Sequence, residues 1–258
     1  MKSESKKTIA ASLETEETLL PYMPYLLQDL WGLGSSVEQI VQIFESLTFP
    51  SNKITVLDLG CGKGAVSVNL AAKWGFNVTG VDAMPEFIDD AIKYSQKYKV
   101  ENKCNFVVDD ILSFTKKNHN FDAVILASLG GIFGSNNKTI KVLRKQIKTC
   151  GIMIIDDGYL KNKSHSNRKG YELYHDYETT KNELISSGDK IIEEVSTTEF
   201  SKILNDEYLR AISKRYKELC EKYPKIKDCL SQYINQQKEE CEFLNSELEG
   251  IIWVIQKC

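Results

Sequence analysis

The chain has no apolar run of 18 residues, and its first dozen, MKSESKKTIAAS, carry lysines and serines rather than a hydrophobic stretch. A spanning helix needs about 20 mostly apolar residues, so no membrane segment and no membrane partner are expected. Seven cysteines are present, but no C-x-x-C pair and no Cys/His cluster at metal-ligand spacing. That pattern points to reduced thiols in a cytoplasmic protein, and away from a disulfide framework or a structural zinc site. Positive charge is not in excess either. Thirty-three Lys and Arg face 36 Asp and Glu, for a net charge of −3, which argues against a surface built to grip nucleic acid. Histidine is scarce, at three residues. No internal repeat and no low-complexity linker marks a boundary. What remains, 258 residues at 42% apolar and 27% charged, suits a soluble globular chain of one large domain or one domain with an added cap.

The most informative stretch is Ile54 to Leu70, ITVLDLGCGKGAVSVNL. Ile54, Thr55, Val56 and Leu57 read as a buried strand. Asp58, Gly60, Gly62 and Gly64 follow at alternating positions. Ala65, Val66, Val68, Leu70 and Ala71 then recur at helical spacing. Strand, glycine loop and helix in succession make a cradle in which a ligand can approach the backbone and an anion can meet unpaired N–H groups. A dinucleotide fingerprint would read G-x-G-x-x-G. Here the glycines run G-x-G-x-G after an acid.

Upstream, Pro21 and Pro24 break an aromatic segment carrying Tyr22, Tyr25 and Trp31 into short helical pieces, because proline lacks an N–H and pushes its predecessor out of the α region. This segment either packs on the core or closes over a ligand. Ser36 with Gln39 predicts a capping box for a helix through Val37, Ile40, Val41, Phe44 and Leu47, ended by Pro50 and Ser51. Downstream, Gly75 is placed to terminate the helix that follows the loop. A second strand over 77–81 ends in Asp82, eighteen residues past Gly64, and Pro85 starts the next helix. The third strand ends in Asp109, Asp110 and Ile111. The fourth, FDAVILA, ends at Ser128. A helix over 136–147 and a fifth strand, IMIIDD, follow. Next come a basic loop with Lys161, Lys163, Arg168 and Lys169, a helix over 171–187 closed by Gly188, and a strand IIEEVSTT. Two amphipathic helices broken at Pro224 fill 206–248, and GIIWVIQ is a last strand. Strands alternating with helices predict an α/β, doubly wound, Rossmann-like sheet. Its ligands bind beyond the carboxyl ends of the strands. Asp58, Gly60, Asp82, Asp110 and Ser128 should therefore converge on one crevice.

The string V-L-D-L-G-C-G-K-G resembles motif I of the class I S-adenosylmethionine (SAM) dependent methyltransferases, and the resemblance extends over about residues 36–160 and the terminal strand. It implies a sheet of seven mostly parallel strands, with the last antiparallel between the fifth and sixth. It implies SAM as cofactor, S-adenosylhomocysteine as product and in-line displacement onto a small-molecule acceptor. By motif, Gly60, Cys61, Gly62 and Gly64 would border the methionine moiety, with Asp58 holding the loop or the amino group. Asp82, followed by Ala83, would bind ribose. Asp110 with Ile111 would take adenine, Asp109 being the alternative one register earlier. Ala127 and Ser128 would lie near the reacting methyl. The implied domains are a tail and aromatic flap over 1–35, the SAM-binding domain over 36–205 and 249–258, and a helical insertion over 206–248. That insertion is a lid, extra packing or the surface of a homodimer.

Departures from the family narrow the reading. Ser128-Leu129-Gly130-Gly131 stands where adenine-methylating enzymes of nucleic acids carry Asn/Asp-Pro-Pro-aromatic, so base methylation is not expected. Metal-dependent members need acids after strands four and five. Asp156 and Asp157 are present in the fifth, but only Ser128 ends the fourth, so no metal is expected. A general base is required only if the acceptor must lose a proton, and the candidates are His175, Tyr171, Tyr174 and Asp157. Tyr25, Trp31, Tyr171 and Tyr174 are the candidate substrate contacts. The basic loop either holds an anionic acceptor or is solvated surface. RNA or protein methylation, and a SAM-binding regulatory module without transfer, are the alternative functions.

Overall fold

The computed structural model describes residues 7, 9–10, 13–49, 53–162 and 165–258. Its centre is a seven-stranded sheet in the order β3-β2-β1-β4-β5-β7-β6. The strands are β1 Thr55–Leu59, β2 Asn77–Asp82, β3 Cys104–Val108, β4 Phe121–Ala127, β5 Ile147–Leu160, β6 Lys190–Ser196 and β7 Leu248–Gln256. All neighbours are parallel except β7, which runs antiparallel to both β5 and β6. The doubly wound order and the reversed final strand are as expected.

Helices cover both faces, as parallel strands with two apolar faces require. On one face, Val56, Val78, Ile125, Ile154 and Val254 pack against Ile40 of α2 (Val37–Ile43) and Val66 and Leu70 of α3 (Ala65–Trp74). Helix α4, Pro85–Lys97, closes this side. On the other face, Leu57, Leu59, Val81, Leu126, Met153 and Trp253 meet Ile140 and Leu143 of α6 (Asn136–Leu143) and Leu184 of α7 (Tyr177–Leu184). Gly75 ends α3 in the left-handed conformation, its N–H donating to Ala71.

A second core lies outside the sheet. Residues Glu17–Tyr22 form a 3-10 helix and Met23–Leu26 a single turn, α1. Leu19, Met23, Leu26 and Leu27 of this flap pack on Ile212 and Leu219 of α8 (Thr198–Lys222), and on Leu230, Tyr233 and Ile234 of α9 (Lys227–Glu247). Flap and helical pair thus share one apolar interior.

Several boundaries differ from expectation. No side-chain cap forms at α2: the Ser36 hydroxyl donates to Asp156 instead of closing a box with Gln39, and the helix stops at Ile43 rather than Leu47. Pro50 and Ser51 lie outside the described residues. Helix α7 starts at Tyr177, not 171, because the Asp176 carboxylate accepts the Thr179 N–H and the His175 carbonyl accepts from Leu160. Helix α8 starts at Thr198, not 206, so the helical pair spans 198–247. Strand β5 begins at Ile147, where α6 was expected to end, and runs irregularly through Cys150 at φ +59°.

Candidate functional site

The loop after β1 is wrapped onto the end of β2: the N–H groups of Gly60 and Cys61 both donate to the Val81 carbonyl. Gly60 and Gly62 have positive φ and face a crevice at the carboxyl ends of the strands, where a Cβ would strike Leu129 at 2.0 Å and Leu33 at 2.8 Å. Cys61 lines the crevice beside them; its thiol is held protonated by burial and by the Asp58 and Asp82 carboxylates. Gly64 does not line it. A Cβ there would meet Ala91 and Phe106 at 2.9 Å, so Gly64 serves close packing of the helix start on β3 and α4. Asp58 is also turned away. Its carboxylate accepts the Ser67 hydroxyl at 2.6 Å, fastening β1 to α3, and burial lifts its pKa to about 6. Asp58 is not among the residues that line the crevice.

Asp82 ends β2 at the crevice wall. One oxygen accepts the Gly62 N–H at 2.9 Å and the other the Met84 N–H at 2.8 Å, so the carboxylate bridges the glycine loop to the start of α4. Burial raises its pKa, and the main-chain donors oppose the rise. Ala83 and Met84 continue the wall. Beside it, after the neighbouring strand β3, Asp110 and Ile111 line the crevice, with the Asp110 carboxylate accepting the Leu112 N–H as the cap of α5 (Ile111–Phe114). Asp109 is not a lining residue; its carboxylate accepts the Asp110 N–H. Ala127 and Ser128 complete the wall at the end of β4, Ser128 at φ +55° with its N–H on the Asp156 carbonyl. Counted out to its open mouth, the crevice measures about 830 Å³.

The flap roofs this crevice through Ile9, Leu13, Leu33 and Ser35. Lys63, inside the glycine loop, is 1% exposed; its ammonium donates to the Leu27 carbonyl at 2.6 Å and lies 5.8 Å from the Phe87 ring. Burial lowers its pKa. The Trp31 indole N–H donates to the Lys63 carbonyl at 2.9 Å, and its ring stacks on Tyr94 at 4.4 Å. Further along, Asp156 accepts the Ser36 N–H at 2.7 Å, and burial pushes its pKa to about 7. Lys63 and Asp156 were not among the expected site residues. A lysine in an otherwise apolar loop–helix junction was the only sequence signal for the first.

Neither Trp31 nor Tyr25 lines the crevice. Trp31 is spent on the outer side of the loop, and Tyr25, 40% exposed, donates to Glu218 with Arg215 over its ring. The base candidates are also outside it. Tyr174 donates to Asp157 at 2.6 Å, beneath Gly130, where a Cβ would lie 1.9 Å from the phenol oxygen. Burial lifts Asp157 to about 6 and raises the Tyr174 phenol. Tyr171 donates to Glu240, and Glu14 is raised to about 8, by burial first and then by the neighbouring Glu240. His175 contributes its carbonyl to Leu160 and does not line the crevice. In the basic loop, Lys161 pairs with Glu249, Arg168 stacks on Tyr171 and Phe243, and Lys163 lies outside the described residues. None of the described members lines the crevice. Among the described residues no cluster of three or more His, Cys, Asp or Glu is placed to hold a metal, and no helix is long and apolar enough to cross a membrane.

A sheet of order 3-2-1-4-5-7-6 with a D-x-G-x-G-x-G loop at its carboxyl edge defines the class, and a family model described as a methyltransferase domain matches residues 50–246. The chain belongs to that family, the class I SAM-dependent methyltransferases. It is 34% identical over 119 residues to a ubiquinone biosynthesis O-methyltransferase of Rickettsia canadensis, covering 46% of this chain and 49% of that protein. It is 32% identical over 103 residues to a 2-methyl-6-phytyl-1,4-hydroquinone methyltransferase of Synechocystis sp., covering 40% and 31%. The chain thus spans between about a third and a half of these relatives. A SAM-dependent methyltransferase of Thiobacillus denitrificans, solved with S-adenosylhomocysteine, shares the fold at a TM-score of 0.75 and 15% identity, covering 92% of this chain and 98% of that one.

Proposed function

We propose that the chain transfers a methyl group from SAM to a small-molecule acceptor by in-line displacement. The observation that carries this reading is convergence: the backbone of Gly60 and Gly62, the carboxylates of Asp82 and Asp110, and Ser128 all face one crevice. The fit to SAM is chemical as well as spatial. Two glycines at positive φ leave backbone bare for close approach. Asp82 keeps lone pairs beyond those used by Gly62 and Met84 and can accept from both ribose hydroxyls. Asp110 with Ile111 suits the amino edge and face of adenine, and the loop suits the methionine moiety.

SAM supplies an electrophilic methyl carbon on a positively charged sulfur. The protein then has to align the acceptor and exclude water, and such positioning can supply roughly 7–11 kcal/mol. The flap, fastened to the loop through Lys63 and Trp31 and to β5 through Ser36, does the excluding. Ala127 and Ser128 face the reacting carbon. Absence of disulfides among all seven cysteines supports work in a reducing compartment such as the cytoplasm.

A transfer assay tests the reading. The chain is incubated with methyl-labelled SAM and pools of phenols, thiols and amines, with RNA and protein extracts as parallel pools. Label in a small-molecule pool is expected. Label confined to RNA or protein would redirect the acceptor, and SAM binding without any transfer would favour the regulatory module.

A further inference from the structure

This inference rests on the methyl-transfer reading and concerns the side chains that lie against the glycine loop. A Cβ built on Gly60 would stand 2.0 Å from Leu129 Cδ1, and one on Gly62 would stand 2.8 Å from Leu33 Cδ1. All four residues line the crevice. Non-bonded carbon atoms pack at about 3.5–4.0 Å, so the leucine methyls fill the space over each glycine that a ligand atom would need. The backbone that glycine leaves bare is covered by two other segments of the chain.

The leucines arrive on separate turns, Leu33 from the flap and Leu129 from the loop after β4. Leu33 has φ +47°, and Ser128, just before Leu129, has φ +55°. Residues with a side chain are disfavoured in that region, and strain of this kind clusters where a segment has two states to choose between. Glycines at positive φ flank both turns, Gly34 in one and Gly131 and Gly134 in the other, which leaves their backbones free to rearrange.

The bases of the two turns are fixed at the end of β5. The Asp156 carboxylate accepts the Ser36 N–H at 2.7 Å, and the Asp156 carbonyl accepts the Ser128 N–H at 2.9 Å. Gly130 lies on the Tyr174–Asp157 hydrogen bond. Above these anchors both leucines are half-buried. Leu33 packs on the interior shared by flap and helical pair, and Leu129 on the apolar face of the sheet. Each therefore has apolar contacts that hold it inward and solvent into which it can turn.

We propose that Leu33 and Leu129 form a two-leaf gate over the glycine loop, which must part before the methionine moiety of SAM reaches the backbone of Gly60 and Gly62. Removal of apolar surface from water holds the leaves inward. Contacts of the cofactor with the freed glycine backbone hold them apart. Association is then slowed in proportion to the fraction of molecules whose gate is open.

Stopped-flow binding of S-adenosylhomocysteine, followed by tryptophan fluorescence, compares the wild type with Leu33→Ala, Leu129→Ala and the double variant. An open population of about 10% or less leaves association about tenfold or more to gain, so the double variant should bind faster by at least that factor. A leucine that only packed on the bound molecule would speed dissociation and leave association alone. Unchanged association in the double variant overturns the proposal. A second measurement uses the wild type and so does not depend on the variants folding. In NMR spectra of methyl-labelled leucine, contacts of Leu129 with the Gly60 Hα and of Leu33 with the Gly62 Hα should disappear on saturation with S-adenosylhomocysteine. Their persistence at saturation overturns the gate. Failure of S-adenosylhomocysteine and SAM to bind the wild type or any variant would instead overturn the methyl-transfer reading beneath it.

Discussion

The ammonium of Lys63 donates to the carbonyl of Leu27 at 2.6 Å, across 36 residues of sequence. The glycine loop is thereby tied to the flap that roofs it, and the Trp31 indole returns the tie to the Lys63 carbonyl. Replacing Lys63 with Met keeps most of the buried stem and removes the charged donor from the Leu27 carbonyl, which retains the Leu30 N–H. A hydrogen bond to a charged group contributes about 1.5–3 kcal/mol, and its loss is read as a lowered Tm. Hydrogen exchange should rise over residues 27–36, and S-adenosylhomocysteine should dissociate faster. Unchanged exchange in that segment would show that the flap is held by its apolar contacts alone.

Asp82→Asn keeps the size of the side chain and removes its charge. Binding of S-adenosylhomocysteine is expected to weaken by about tenfold or more, since hydrogen bonds to a charged group contribute about 1.5–3 kcal/mol. Tm should fall as well, because the amide offers one acceptor oxygen to the two N–H groups, of Gly62 and Met84, that the carboxylate bridges. Isothermal calorimetry on both proteins decides it, and equal affinities would remove Asp82 from the site.

Gly62 and Gly64 should part company when each is changed to Ala. Both have positive φ, which costs a side-chain-bearing residue about 1–2 kcal/mol. At Gly64 the new methyl also meets Ala91 and Phe106 in the interior, so the fold should suffer most. At Gly62 it meets the end of the Leu33 side chain, which can turn aside at the crevice. Gly62→Ala should therefore lose cofactor affinity with a smaller fall in Tm, and Gly64→Ala the reverse. Equal effects on both quantities would contradict this division.

Asp156 gives a pH dependence of known sign. Burial raises its pKa from 3.8 to about 7, so the folded chain binds more protons than the unfolded one between those values. Its contribution to stability is present below about pH 4, falls as pH rises to about 7, and is flat above. Asp58 and Asp157, each raised to about 6, act in the same direction. In urea titrations from pH 4.5 to 8, the fall in unfolding free energy should be shallower in Asp156→Asn than in the wild type. Parallel curves would mean that Asp156 titrates normally.

The strands and the glycine loop were legible because their signals are local. An apolar run closed by an acid, Pro85 at a helix start and Gly75 at a helix end each act within a few residues. That Asp110 and not Asp109 lines the crevice is a matter of register, fixed where β3 hands over to α5. Tyr25 and Trp31 were legible as aromatic mass but not in direction. One turned to Glu218 and the other to Tyr94, partners set by tertiary packing. The role of Lys63 depends on a carbonyl 36 residues away, and that of Gly64 on Phe106 of another strand. No local pattern encodes either contact. The early start of α8, at Thr198, reflects the Thr198 hydroxyl meeting Glu249 and Gly250 on β7, again a distant partner.

On the proposed function, the crevice takes a nucleoside bearing an amino-acid tail. Calorimetric titration of the chain with S-adenosylhomocysteine and, in parallel, with NAD tests this most directly. Saturable one-to-one binding of S-adenosylhomocysteine, weakened in Asp82→Asn, with no heat from NAD, is the predicted result. Binding of NAD alone would contradict it.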